Sequence, residues 1–229
     1  MRNGICHISQ IPLRGEPRSG SEMVSQLLFG ETYTILSRQE DWYKIQMDYD
    51  GYQGWLSESS IHLIKAKEKR HVQQFVQLTW NNDIYDSPLF SSMGSELHEP
   101  DVKLERLYAP DLAKKFMGTP YLWGGRHYSG IDCSGLMQVV FKVLNIKLPR
   151  DASQQQKVGK PVTFQDINEG DLVFFDKNER VGHVGMALAG GKIIHAHGQV
   201  RIDTLTKEGI INTDTQKRTH DYHSAKRLT

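Results

Sequence analysis

An α+β domain with an antiparallel sheet, preceded by a small all-β barrel, is the fold class predicted for this chain of 229 residues. Three observations carry that reading. Short β segments separated by Gly and polar turns run from Gly4 to Leu63. Past Ala109, apolar residues at 136, 140, 143 and 144 have the spacing of a helix face. Strand-like runs then follow one another, and helices ahead of an antiparallel sheet define the α+β class.

In the first region the segments are GICHISQI, ETYTILSRQ, DWYKIQM and YQGWL, with Asp50-Gly51 as a hairpin signal between the last two. They fit a small antiparallel barrel over residues 1–65. Residues 66–107 place charged and polar clusters (KAKEKR, NND, SSMGSE) around short apolar pieces, and read as a connector or truncated β module. Residues 108–229 form the second domain. There DLAKKFM reads as a short helix ended by Gly118, and SGLMQVVFKVLNI as a longer one. DLVFFD (171–176), HVGMALA (183–189) and KIIHAH (192–197) read as strands. Trp42, Trp55 and Trp123 are assigned to the core, because small barrels need such bulk.

Composition narrows the partners. Lys plus Arg number 28 against 27 Asp plus Glu, a net +1 with no densely basic stretch, so neither nucleic acid nor an anionic membrane is an expected partner. No apolar run approaches the ~18 residues of a membrane-spanning helix, and the opening residues lack the apolar region of a signal peptide. Two cysteines, Cys6 and Cys133, are too few for a disulfide framework. A chain this long, at about 150 residues per domain, makes one large or two small domains with a real core.

The residues that carry chemistry lie in the second domain. Gly130-Ile131-Asp132-Cys133-Ser134-Gly135 directly precedes the apolar helix. Cys133 therefore falls in the first turn, where unpaired N–H groups and the positive dipole end favour a thiolate nucleophile. The alternative is a buried core cysteine. His183 and His195 flank Ala189-Gly190-Gly191, so one hairpin brings both imidazoles close. A two-residue Gly190-Gly191 turn sends them to opposite faces; a three-residue loop over 189–191, with Gly191 left-handed, puts them on the same face. Cys133 with a His183 base and His195 holding the base's tautomer is the general arrangement for acyl transfer through a thioester. His195-x-His197, with Cys133 or His183, is the competing zinc reading; closed zinc sites draw more Cys ligands, so neither metal nor cofactor is expected.

Six blocks in order, Tyr121-Leu-Trp-Gly-Gly125, Gly130-Ile-Asp-Cys-Ser-Gly-Leu136, Leu148-Pro-Arg150, Glu169-Gly-Asp-Leu-Val-Phe-Phe175, Gly182-His-Val-Gly185 and Ile194-His-Ala196, resemble the signature of the NlpC-type cell-wall peptidases. These are papain-like cysteine enzymes that cut peptidoglycan stem peptides, and the resemblance covers about Tyr108 to Arg227. It implies Cys133 as nucleophile, His183 as base and His195 as orienting residue. Gly30-Glu31, Asp41-Trp-Tyr-Lys44 and Gly51-Tyr-Gln-Gly-Trp55 resemble a bacterial SH3-like barrel. Within the family the nearest likeness is to the γ-D-glutamyl-L-diamino acid endopeptidases of muropeptide recycling.

That likeness implies substrate-binding roles for Glu22 and Tyr52 on the barrel, for Asp151 as receiver of the substrate's free amine, and for Tyr121, Asp132 and Ser134 beside the cysteine. Asp132 and Asp151 are equally suited to cap the helices that follow them. The function expected is hydrolysis of the γ-D-Glu to diamino acid bond in stem peptides with a free N-terminal L-Ala. The alternatives are a non-catalytic peptidoglycan-binding module and an amidase or acyltransferase on the same fold. A monomer is expected. The thiol that must stay reduced, the lack of a leader and the likeness to recycling enzymes point to the cytoplasm, or to the envelope if a leader precedes Met1.

Overall fold

Alternation of apolar and polar side chains shapes the N-terminal strands β1 (Asn3–Ile5), β2 (Gln10–Arg14), β3 (Met23–Leu28), β4 (Thr32–Gln39), β5 (Trp42–Met47), β6 (Gln53–Ser57) and β7 (Leu63–Ile64). They pair antiparallel in the order β3-β2-β6-β5-β4-β1-β7 in the computed structural model, which describes residues 2–74, 77–79, 89–98, 107–177 and 180–228. Ile11, Leu13, Leu27, Tyr33, Ile45, Met47 and Leu56 fill the interior with Cys6. Each such aliphatic side chain contributes about 1.5–3 kcal/mol by leaving water. The β5–β6 turn forms where Asp50-Gly51 marks it: Gly51 has φ +76°, and Tyr52 N–H donates to Asp50 Oδ1 at 2.9 Å.

Two compact units divide the chain, Met1–Glu105 with Trp123–Tyr128, and Arg106–Leu122 with Ser129–Thr229. In the first, β8 (His71–Val72) pairs with β11 (Glu96–Leu97), and β9 (Gln77–Thr79) with β10 (Leu89–Ser91). Of the connector over 66–107, residues 75–76, 80–88 and 99–106 lie outside the described residues. Residues 123–128, which include β12 (Arg126–His127), join this unit through a buried ion pair. The Arg126 guanidinium donates to Glu31 Oε2 at 2.8 Å and Oε1 at 2.9 Å, and to the Gln26 carbonyl at 2.7 Å. Neither charge reaches solvent, so each depends on the other for compensation. Trp123 departs from the core position expected of it: it is 55 % exposed, and its indole N–H donates to Glu22 Oε1 at 2.6 Å, which holds the ring's polar edge at the surface. Trp42 and Trp55 are half-buried.

In the second unit, α1 (Ala109–Lys114), β13 (Gly130–Ile131), α2 (Cys133–Val143) and α3 (Ala152–Gln155) precede β14 (Lys160–Val162), β15 (Leu172–Lys177), β16 (Arg180–Leu188) and β17 (Lys192–His197). β18 (Gln199–Thr206), β19 (Gly209–Ile211) and β20 (Arg218–Arg227) complete it. The sheet order is β14-β20-β15-β16-β17-β18-β19, and β19 also pairs with β20, so the sheet curls back on itself. Val173, Phe175, Ala187, Ile193, Leu205, Ile210 and Ala225 form its core. Every residue of α2 is buried, not only the periodic stripe; Gln138 Nε2 donates to the Leu148 carbonyl at 3.1 Å.

The hairpin register follows the three-residue alternative. Gly185 faces His195, Ala187 faces Ile193 and Leu188 faces Lys192, leaving residues 189–191 as the loop, with Gly191 at φ +65°. His183 and His195 therefore share a face.

Candidate active site

Asp132 builds the start of α2. Its Oδ1 accepts the Gly135 N–H at 2.7 Å, the side-chain cap that fixes a helix start, so Cys133 becomes the first helical residue. The same carboxylate is gripped by Arg150, with Nη2 to Oδ2 at 2.6 Å and Nη1 to Oδ1 at 3.0 Å, and Arg150 Nη1 also donates to Ser134 Oγ at 2.9 Å. Gln155 Nε2 bonds the Ser134 carbonyl at 3.0 Å and the Pro149 carbonyl at 2.8 Å, tying α3 to the segment. Asp132, Ser134, Arg150 and Gln155 are all buried, so the helix start that presents the thiol is held by contacts shielded from water, those of Arg150 with Asp132 being charge-assisted.

The thiol departs from the activated state that a helix start by itself favours. Burial, then the Asp132 carboxylate, push Cys133 up to about 12, against the opposing pull of the Val184 backbone N–H and of Arg150. A lone thiolate is disfavoured here; ionisation needs a proton acceptor alongside. The Val184 contact sets the sulfur against β16 at the residue next to His183.

His183 is oriented by a chain of hydrogen bonds. His183 Nε2 lies 2.8 Å from His195 Nδ1, and His195 Nε2 lies 3.0 Å from Asp203 Oδ2. Asp203 also accepts from Arg201 Nε and Nη2, each at 2.9 Å, and from the Thr213 N–H at 2.9 Å. Although burial raises its carboxyl, these donors outweigh it and hold Asp203 well below the usual carboxylate range. An ionised carboxylate only accepts, so His195 Nε2 carries a proton. Burial keeps His195 neutral, so its Nδ1 is an acceptor and receives the His183 Nε2–H. The proton pattern leaves the basic lone pair of His183 on Nδ1. Gly185 makes room for this chain, since a Cβ there would meet the Ile193 side chain at 2.8 Å and His195 Cβ at 3.0 Å.

The remaining sites named from sequence are spread over both units. Tyr121 is half-buried beside Cys133; burial first, and then Cys133 and Asp132, push its hydroxyl up, so it stays a protonated donor. Asp132 and Ser134 are engaged with Arg150 as above. Asp151 stands at the N-cap position of α3 without a capping side-chain bond and is half-buried. Glu22 and Tyr52 belong to the first unit, where Glu22 accepts from Trp123 and Tyr52 packs half-buried on the barrel core. His197 is exposed, its ring 6.1 Å from that of His195.

Sequence reasoning missed Asp203, Arg201 and Thr213. For Asp203 a signal was present: Arg-Ile-Asp sits in a β-like run directly after His197, and Asp is depleted in strands unless something there needs its charge.

Residues 118–219 match the NlpC/P60 family, and residues 13–61 match the bacterial dipeptidyl-peptidase SH3 domain. The chain is 29 % identical over 228 residues to the gamma-D-glutamyl-L-lysine dipeptidyl-peptidase of Bacillus subtilis (strain 168), covering 80 % of this chain and 76 % of that one. It is 46 % identical over 88 residues to the gamma-DL-glutamyl hydrolase of the same organism, covering 37 % of this chain and 21 % of that one. The crystal structure of an NlpC/P60 family protein from Bacillus cereus ATCC 10987 superposes with a TM-score of 0.79 at 20 % identity, covering 99 % of both chains, and so shares the fold.

Proposed function

From a chain that carries an NlpC/P60 domain behind a bacterial dipeptidyl-peptidase SH3 domain, we propose a cysteine peptidase that hydrolyses the γ-D-glutamyl bond to the diamino acid of peptidoglycan stem peptides. The single observation that carries this reading is the Asp203–His195–His183 chain, which fixes a basic nitrogen on the strand that Cys133 touches. Both relatives described above are named for γ-glutamyl chemistry.

In the proposed reaction His183 Nδ1 takes the Cys133 proton as the sulfur attacks the γ-carbonyl carbon of D-Glu. The tetrahedral oxyanion is held by the Cys133 backbone N–H and the Tyr121 hydroxyl, an interaction worth on the order of 3 kcal/mol. As the C–N bond breaks, His183 returns the proton to the leaving amine, and a thioester remains. Water then attacks the thioester carbon and gives a proton to His183. Collapse restores the thiol and releases the γ-carboxylate. His195 and Asp203 stay fixed and keep the His183 lone pair on one nitrogen throughout.

We propose further that Asp151 receives the amine of a substrate with a free N-terminal L-Ala. Its support is the likeness of Arg150-Asp151 to the recycling endopeptidases. A cytoplasmic location is proposed on the need to keep the Cys133 thiol reduced, and fractionation of native cells tests it. The activity test uses L-Ala-γ-D-Glu-L-Lys and its N-acetylated form, with products followed by mass spectrometry. Release of Lys from the free-amine peptide, lost in Cys133→Ala, is expected. Cleavage by Cys133→Ala refutes the nucleophile, and equal rates on the two peptides refute the free-amine specificity.

A further inference from the structure

One imidazole beside the hydrogen-bonded chain has no part in the reaction derived above. His220, on β20, stacks on His183 with ring centroids 4.0 Å apart and planes 20° from parallel. Its ring lies 5.9 Å from that of His195 and 4.9 Å from that of His197. One ring nitrogen from each of His183, His195 and His220 falls within 4.8 Å of the others. From this juxtaposition we propose that the three histidines form an inhibitory binding site for a borderline-soft divalent metal ion, with Zn²⁺ the best match.

The donors suit that ion. Three neutral imidazoles with a water in the fourth position make a familiar tetrahedral zinc set, with bonds of about 2.0–2.1 Å that place the nitrogens about 3.3 Å apart. The His183–His195 pair, at 2.8 Å, is already near that spacing, whereas half-buried His220, stacked on His183, has to turn out of the stack for its in-plane lone pair to reach the same ion. The surroundings resemble a metal's outer shell. Metal-binding histidines usually donate their other N–H to a carboxylate, and His195 already does so to Asp203, leaving Nδ1 as the nitrogen turned to His183. His220 Nδ1 lies 3.0 Å from the Thr219 hydroxyl, so in the proposed complex Nε2 is the ligand. Exposed His197 and half-buried His220 give the ion a route in from solvent. Among the described residues the converging nitrogens come from β16, β17 and β20, and not from the His195-x-His197 pair of one strand.

Inhibition follows from the tautomers. The ion takes the place of the hydrogen between His183 Nε2 and His195 Nδ1. A neutral His183 bound through Nε2 must carry its proton on Nδ1, so the lone pair that accepts the Cys133 proton is gone. No proton is gained or lost overall; it moves from one nitrogen of the ring to the other. This half of the inference rests on His183 being the base; the binding half does not.

The test separates the two. The full chain carrying Cys133→Ala, which removes thiolate ligation, is titrated calorimetrically with ZnCl₂, and Co²⁺ is added to report tetrahedral coordination by its visible absorption. Saturable binding of one ion is expected, weakened at least tenfold by adding His220→Ala, and about 10–100-fold by adding Asp203→Asn. His220→Asn repeats the comparison should the alanine variant lose its native circular dichroism. No saturable binding, or an affinity that both His220 variants leave unchanged, overturns the site. In the parent protein, Zn²⁺ at saturating concentration is expected to abolish peptide cleavage and a chelator to restore it. Binding without inhibition would overturn the inhibitory role and would count against His183 as the base.

Discussion

Replacing Asp203 by Asn keeps the shape of the side chain and removes one acceptor oxygen. Four donors converge on the carboxylate: His195 Nε2 and Arg201 Nε on Oδ2, Arg201 Nη2 and the Thr213 N–H on Oδ1. Whichever way the new amide is turned, its NH₂ meets two of them. If it meets His195, the imidazole is driven to the opposite tautomer, and His183 with it. The hydrogen bond broken in this way is charge-assisted and worth about 1.5–3 kcal/mol. At about 1.4 kcal/mol per decade, kcat/KM should fall about 10- to 150-fold. The measurement is Lys release from L-Ala-γ-D-Glu-L-Lys by the parent and Asp203→Asn, beside circular dichroism to show that both are folded. A folded Asp203→Asn protein within about twofold of the parent would refute the relay and reduce Asp203 to a partner of Arg201.

Three further outcomes test the same physics. With the Cys133 thiol pushed up to about 12 by burial and by Asp132, thiolate needs a proton acceptor, and His183 is the proposed one; His183→Ala should therefore slow iodoacetamide labelling at neutral pH at least tenfold and move its pH midpoint above 10, and an unchanged midpoint would count against the pairing. Arg150→Met leaves the Asp132 carboxylate buried without its cation, which typically costs about 3–5 kcal/mol; Tm should drop by roughly 6–20 °C, and a drop under a few degrees would show that water or another donor replaces the guanidinium. Burial holds His7, His127 and His195 below the ordinary imidazole value, so the fold favours their neutral forms; the stability they carry is whole above about pH 6.5, where the unfolded imidazoles are also neutral, and declines as pH falls below it. Asp203, held low, gives way only under the carboxylate range, so a melting temperature that stays flat from about pH 7 to about pH 5 would refute the histidine account.

The sequence by itself determined whatever depends on neighbours along the chain. Asp132 capping a helix that starts at Cys133 was legible because a cap acts over three residues. The hairpin that sets His183 and His195 on one face was legible because loop length and a left-handed Gly191 fix register locally. The barrel strands were legible from their alternation and from Asp50-Gly51. The tertiary structure decided what reaches across elements. Asp203 and His220 approach the histidine pair on β18 and β20, strands whose own patterns do not say which neighbours they meet, because a sheet that curls on itself joins positions far apart in sequence. Arg126 reaches Glu31 from a segment that its place in the chain assigns to the second domain, and Trp123 surfaces with it. The thiol's environment reversed the simplest expectation for the same reason: a helix start favours an anion through local dipoles, but desolvation depends on all that packs around the sulfur, and here burial is the larger effect.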